Sequence, residues 1–294
     1  MGGERRGGCF PLFRLFLRRA AAAPGSLLSL GEVGWIHALV LVASAGLLVT
    51  LMRLGPFITC YQFPYLFPPA RVLAEVWYLV GIQAILTGSV ALLLAPSLSL
   101  GVEEYQILRP LPLRLLRPGM AQVGSSLLLA LGLSAFIALP SVFAATMFLP
   151  HFNGMPVVFF GMGMMAVCVI QGMVLFALAL LLRELAGFLG ENPGSVLTLT
   201  GLGLLLSAFF WLEDGAMGMA RKGSVPAEWL AGLPFSWGTA LFYRMLGQGE
   251  AVPRVWPLWP MGVLPLVAGG LLVLLTVLKL LRWSGNGGQT GGGL

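Results

Sequence analysis

Two lysines, two histidines and three cysteines are the residues from which most catalytic centres would have to be built. A phosphate-binding loop needs Gly-Lys-Ser/Thr at the start of a helix. Lys222 follows Arg221 and Lys279 follows Leu278, so the chain has no such loop and does not hydrolyse nucleotide by that route. A helical zinc site needs two histidines one turn apart. His37 and His151 stand on different segments, and His37 reads as a packed or water-satisfied residue and not a ligand. Cys9, Cys60 and Cys168 are far apart and match no metal spacing, which predicts neither a disulfide nor a bound metal. The expectation is a chain that is not an enzyme and carries no cofactor.

Acids inside apolar runs are the next place to look, because an ionisable group in lipid is costly and is kept there for a reason. Glu75 is the one acid placed well inside an apolar run, near its outer end. Arg71 stands at the i,i+4 spacing that allows a pair. Two roles stay open for Glu75: an interfacial ion pair, or a contact to substrate or proton. Glu32 and Glu184, the latter beside Arg183, read as residues at helix ends. The acidic stretch Glu213-Asp214 lacks the further aspartates that a divalent-metal site on adjacent turns would need, and reads as a solvated loop.

The elements that carry these residues follow from composition. The chain has 294 residues, of which 58% are hydrophobic and 10% charged. Soluble domains carry roughly 25% charge, so lipid must be the solvent for most of this one. The net charge of +6 is spread over short flanks between apolar runs, which excludes a nucleic-acid surface and fits topology-setting charges. Six runs reach the roughly 20 residues that span a bilayer. They lie near 33–53, 72–98, 119–149, 156–182, 195–212 and 260–282. Ahead of them, Phe13, Phe16, Leu17 and Ala20 share one helical face with Arg14 and Arg18 on another, which predicts an amphipathic helix in the interface. The predicted fold is therefore all-α and polytopic. Residues 1–31 form the tail and interfacial helix, 32–283 the six-helix membrane domain, and 284–294 a Gly-rich disordered tail.

Orientation follows from Lys and Arg. Placing the N-terminus inside gathers Arg5, Arg6, Arg14, Arg18, Arg19, Arg109, Arg114, Arg117, Arg183, Lys279 and Arg282 on that side. Both termini are then cytoplasmic, the segment 100–119 is cytoplasmic, and 213–259 is external. Apolar stretches in the external segment, such as Phe235 to Leu246, are too short to span and predict half-buried or re-entrant helices. Gly161, Gly163 and Gly172 in the fourth run, with Gly201 and Gly203 in the fifth, predict close helix packing. The methionines from Met155 to Met173 suit either an adaptable apolar path or plain packing.

The cytoplasmic segment carries a pattern. In SLSLGVEEYQILRPLPLRLLRPG, Glu103 and Glu104 fall in the first turn of a short helix, where acids suit the helix dipole, and Pro110 and Pro112 stop it. The segment resembles the cytoplasmic loop after the second span of type-2 ABC (ATP-binding cassette) exporter permeases. There an acidic pair precedes a short helix and a Leu-Pro, here Glu103, Glu104, Leu111 and Pro112. LPFSWGTALFYRML is similar to a later loop of that family at Pro234 and Trp237. Arg109-Pro110 is a departure that shortens the helix.

The resemblance implies a permease subunit in the plasma membrane. It would pair with a second permease chain and with cytoplasmic ABC ATPase subunits, and would couple to them through Glu103, Glu104, Tyr105, Ile107, Leu108, Leu111 and Pro112. Its substrate is not legible. Read from the residues alone, a secondary transporter or channel, and a structural subunit of a larger membrane complex, stay open beside it.

Overall fold

The computed structural model describes residues 40–52, 69–99, 116–148, 156–189, 193–222, 234–245 and 259–286. The described segments are helical. We number them α1 (Val40–Met52), α2 (Pro69–Leu98), α3 (Leu116–Phe148), α4 (Val157–Leu189), α5 (Pro193–Lys222), α6 (Pro234–Met245) and α7 (Trp259–Asn286). Proline marks the starts. Pro69, Pro193 and Pro234 open α2, α5 and α6, Pro156 immediately precedes α4, and Pro260 is the second residue of α7. A first-turn residue has no helical use for its N–H, so proline's missing donor costs nothing there. The Pro156 carbonyl accepts from Phe160 N at 3.1 Å and so begins the first turn of α4.

Three of these helices are long and apolar enough to cross a membrane, over Glu75–Ala95, Pro118–Met147 and Val157–Ala186. The side chains of α3 show what solvent surrounds them. Leu128, Leu131, Phe136, Leu139 and Phe143 are exposed, whereas Gln122, Ser125, Ser126, Ser134 and Ser141 are buried. Water would drive the opposite arrangement. An apolar outside over a polar inside is stable where lipid is the solvent and polar groups must seek each other. The protein is a helical, membrane-embedded protein.

Helix α4 is the hub. It packs against α2, α3, α5, α6 and α7, and α2 adds contacts to α3, α5 and α6. One apolar core joins Val76–Val80 of α2 with Phe160, Met164 and Val167 of α4, Leu212 of α5 and Phe242 of α6. A second joins the Val90–Leu98 end of α2 with Ile137 of α3, Phe176 and Leu180 of α4, and Leu272 of α7. Met164 is buried in the first core while Met162 points outward, so these two α4 methionines lie on different faces. Four of the five predicted glycines sit at close approaches. A methyl on Gly161 would stand 2.7 Å from Thr146, one on Gly163 3.2 Å from Phe242, and one on Gly201 2.7 Å from Leu92. One on Gly172 would collide with Ser134, whereas nothing lies near Gly203.

Several boundaries differ from the sequence expectation. The fourth run was expected to end at residue 182, but α4 continues to Leu189, so Glu184 is an interior residue of the helix and not a boundary one. Residue 213 falls inside α5, which runs on to Lys222. α3 takes in Leu116–Gly119 from the end of the expected loop, and α7 continues to Asn286. Within the expected external segment, Pro234–Met245 is helical and packs against α2 and α4. The interfacial helix before residue 31 and the coupling residues Glu103, Glu104, Tyr105, Ile107, Leu108, Leu111 and Pro112 lie outside the described residues.

Candidate functional site: a polar clasp joining four helices

At one end of the bundle, polar groups from α2, α3, α4 and α7 converge on the side chain of Gln122. Its Nε2 donates to the Leu98 carbonyl at 3.0 Å and to Glu184 Oε1 at 3.1 Å. Its Oε1 lies 2.9 Å from the Thr276 hydroxyl. Both amide protons thus face acceptors and the amide oxygen faces a donor, which fixes the orientation of the group. The Thr276 hydroxyl is also 2.8 Å from the Leu272 carbonyl, so its single proton serves two acceptors.

The second carboxylate oxygen of Glu184 takes the charge-assisted contact. Lys279 Nζ donates to Glu184 Oε2 at 3.0 Å, and also reaches Ser99 Oγ at 3.5 Å. The Glu184 side chain is 1% exposed and that of Lys279 17%. A charge so deeply enclosed is stable only when paired and hydrogen-bonded, and Glu184 has both conditions met. Ser125 and Ser126 donate to the Gln122 carbonyl at 3.0 and 2.7 Å, which keeps their own hydroxyls satisfied within α3.

The helices are placed for this by their apolar contacts. Leu98 of α2 and Leu180 of α4 are fully buried in the second core, and Leu272 packs with them from α7. At Gly119 α3 runs beside α7, where a methyl would stand 3.4 Å from the Val273 backbone, at the edge of ordinary contact. Among the described residues no group of three or more His, Cys, Asp or Glu could hold a metal. What the clasp can do is mechanical. It ties the last turn of α2 and the second turn of α3 to α4 and α7 through bonds that are strong while closed and costly when half broken.

The sequence signals for the clasp were weak but present. The apolar run of α4 resumes after Arg183-Glu184 with Leu185, Ala186, Phe188 and Leu189, so the acid interrupts a helix and does not end it. Lys279 stands among Leu278, Leu280 and Leu281. Gln122, Ser125 and Ser126 share the i, i+3, i+4 spacing of one helical face. Of the acids expected to matter inside the membrane, Glu75 is buried in α2, at 3% exposure, while the side chain of Arg71 lies outside the described residues.

No protein-family model, curated protein or solved structure matches this chain.

Proposed function

We propose that this chain is the membrane-spanning permease subunit of an ATP-driven exporter of the type-2 ABC class. It would lie in the plasma membrane with six spans and both termini in the cytoplasm. A second permease chain and separate ATPase subunits would complete the machine, because the chain has no phosphate-binding loop of its own. The observation that carries this reading is the bond from Gln122 to the Leu98 carbonyl. It joins the end of α2 to the start of α3, the two helices that flank the segment with Glu103 and Glu104 in the sequence, and Glu184 and Lys279 tie this junction to α4 and α7. A push on the segment from a docked ATPase would thus act on four helices at once.

The test is purification of the full chain from its native membranes. An ABC ATPase should accompany it, and the chain stripped of that partner should hydrolyse no ATP above background. A Glu103→Lys/Glu104→Lys double variant should insert normally and lose the partner. Normal binding and transport by that variant would remove the coupling role. Cysteines introduced at Ser224 and Gln106 report orientation: a membrane-impermeant reagent applied outside should label the first and spare the second.

A secondary transporter is the alternative with an observation behind it, namely the buried acids Glu75 and Glu184. Transport that persists without ATP and follows an ion gradient would favour it.

A further inference from the structure

A second group of polar side chains lies near the middle of α2, α3 and α4, away from the clasp. Gln171 and Glu184 are thirteen positions apart on α4, about 20 Å at 1.5 Å per residue. Gln83 on α2, Ser134 and Ser141 on α3, and Thr239 on α6 are each buried to 2% exposure or less. Both polar atoms of the Gln83 amide, the two serine hydroxyls and the Thr239 hydroxyl have no hydrogen-bond partner among the described residues. In lipid that is a sizeable cost, and a buried polar group left in this condition calls for a functional account.

The cost is not forced on these hydroxyls by helical geometry. Other serines and threonines of the same bundle fold back onto a carbonyl of the preceding turn: Thr50 onto Gly46 at 2.7 Å, Ser89 onto Ile85 at 2.8 Å and Ser126 onto Gln122 at 2.7 Å. Ser134 and Ser141 instead aim across helix boundaries at glycine backbones. A methyl on Gly46 of α1 would stand 3.4 Å from Ser141 Oγ and 3.5 Å from Gln83 Nε2. A methyl on Gly172 of α4 would collide with Ser134 Oγ and come within 3.1 Å of Thr87. Pro140 precedes Ser141 inside α3 and has no N–H to give the Phe136 carbonyl. The groups are continuous, because Gln83 and Thr87 are one turn apart on α2 and Ser134 and Ser141 two turns apart on α3.

We infer that Gln83, Ser134 and Ser141 form a recognition layer for an uncharged, hydrogen-bonding ligand group, a hydroxyl or an amide, which enters when α1 lifts its Gly46 face from Gln83 and Ser141 and α4 lifts its Gly172 face from Ser134. These three side chains and Thr239 offer amide and hydroxyl groups and no charge, so they match neutral donors and acceptors and penalise an ion. Transport proteins place such groups near the membrane midplane, between helices that part. The inference rests on the reading of the chain as a transport subunit and names its ligand class.

Single cysteines test it. In the full chain with Cys9, Cys60 and Cys168 replaced by alanine, Ser134→Cys and Ser141→Cys change one atom each, and Ile137→Cys on the same helix is the apolar control, buried at 0% exposure. The probe is 2-hydroxyethyl methanethiosulfonate, neutral and hydroxyl-bearing, set against its trimethylammonioethyl analogue. Opening of the layer should make positions 134 and 141 react about tenfold faster than 137, with the neutral reagent ahead of the cation. Equal protection at all three positions overturns the layer, and so does equal labelling. A cation as fast as the neutral probe overturns the ligand class. Retained thermal midpoints of the two serine variants exclude misfolding as the source of labelling. ATPase co-purification plays no part in this measurement. Uniform protection therefore sinks the layer even where an ATPase partner is found, and selective labelling sustains it even where none is.

Discussion

Glu184 on α4 and Lys279 on α7, 95 residues apart in the chain, meet across 3.0 Å inside the bundle. Neither is free to leave alone. Lys279→Met strands a carboxylate at 1% exposure and should destabilise the protein by roughly 3 kcal/mol, the lower end of the range for broken buried pairs because Lys279 is partly exposed. The Glu184→Gln/Lys279→Met double variant removes both charges and should recover most of the loss. Thermal unfolding of the four proteins of this cycle in detergent measures the coupling. Additive losses would mean that the pair contributes nothing beyond its separate side chains.

Gln122→Leu should be costly in a different way. It leaves the Leu98 carbonyl and Glu184 Oε1 each short of a donor, at about 1–3 kcal/mol for each group left unsatisfied. Hydrogen exchange should then rise at the Leu98 end of α2 and the start of α3, ahead of the remaining helices. Uniform exchange across the bundle would argue against a local clasp.

Glycine variants separate close approaches from open surface. Gly172→Ala drives a methyl into Ser134 and should cost about 1–3 kcal/mol, as overpacked sites do. Gly132→Ala and Gly203→Ala meet nothing within 4 Å and should be neutral or gain up to about 1 kcal/mol from helix propensity. Midpoints of thermal unfolding rank the three, and a Gly172→Ala protein as stable as the parent would contradict the packing of α3 on α4.

Phe242 fastens α6. Its ring meets Phe160 of α4 edge to face, with centroids 5.2 Å apart, and is 1% exposed. Phe242→Ala should cost about 3–5 kcal/mol, the usual loss for a buried phenylalanine. Limited proteolysis should cut near α6 first, while the α3–α4 pair stays protected.

Gln83→Leu should move stability the other way. The native amide is buried with its polar atoms unpartnered among the described residues, so an apolar side chain of similar size should raise the unfolding midpoint, by about 1–2 kcal/mol. A midpoint that falls instead would mean that the amide is engaged in the folded state.

The amino-acid sequence by itself determined the solvent and the class of fold. With 58% hydrophobic residues in long runs, every backbone polar group must be paired within its own segment, which leaves helices as the economical answer. Proline is favoured in the first turn of a helix, and Pro69, Pro193 and Pro234 stand there, but Pro140 lies inside α3, so proline alone did not mark the boundaries. Close packing at Gly161 and Gly172 was legible from residue size alone. What the sequence did not disclose is which polar residues meet. Glu184 looked like the end of a span because charge ends spans on average, and Lys279 looked like a topology charge for the same reason. Only the packing of α4 between α3 and α7 brings them within bonding distance of each other and of Gln122. That choice belongs to tertiary structure, because hydrophobic periodicity records which face turns inward but not which neighbour waits there. A buried charge acquires its meaning from the partner that neutralises it.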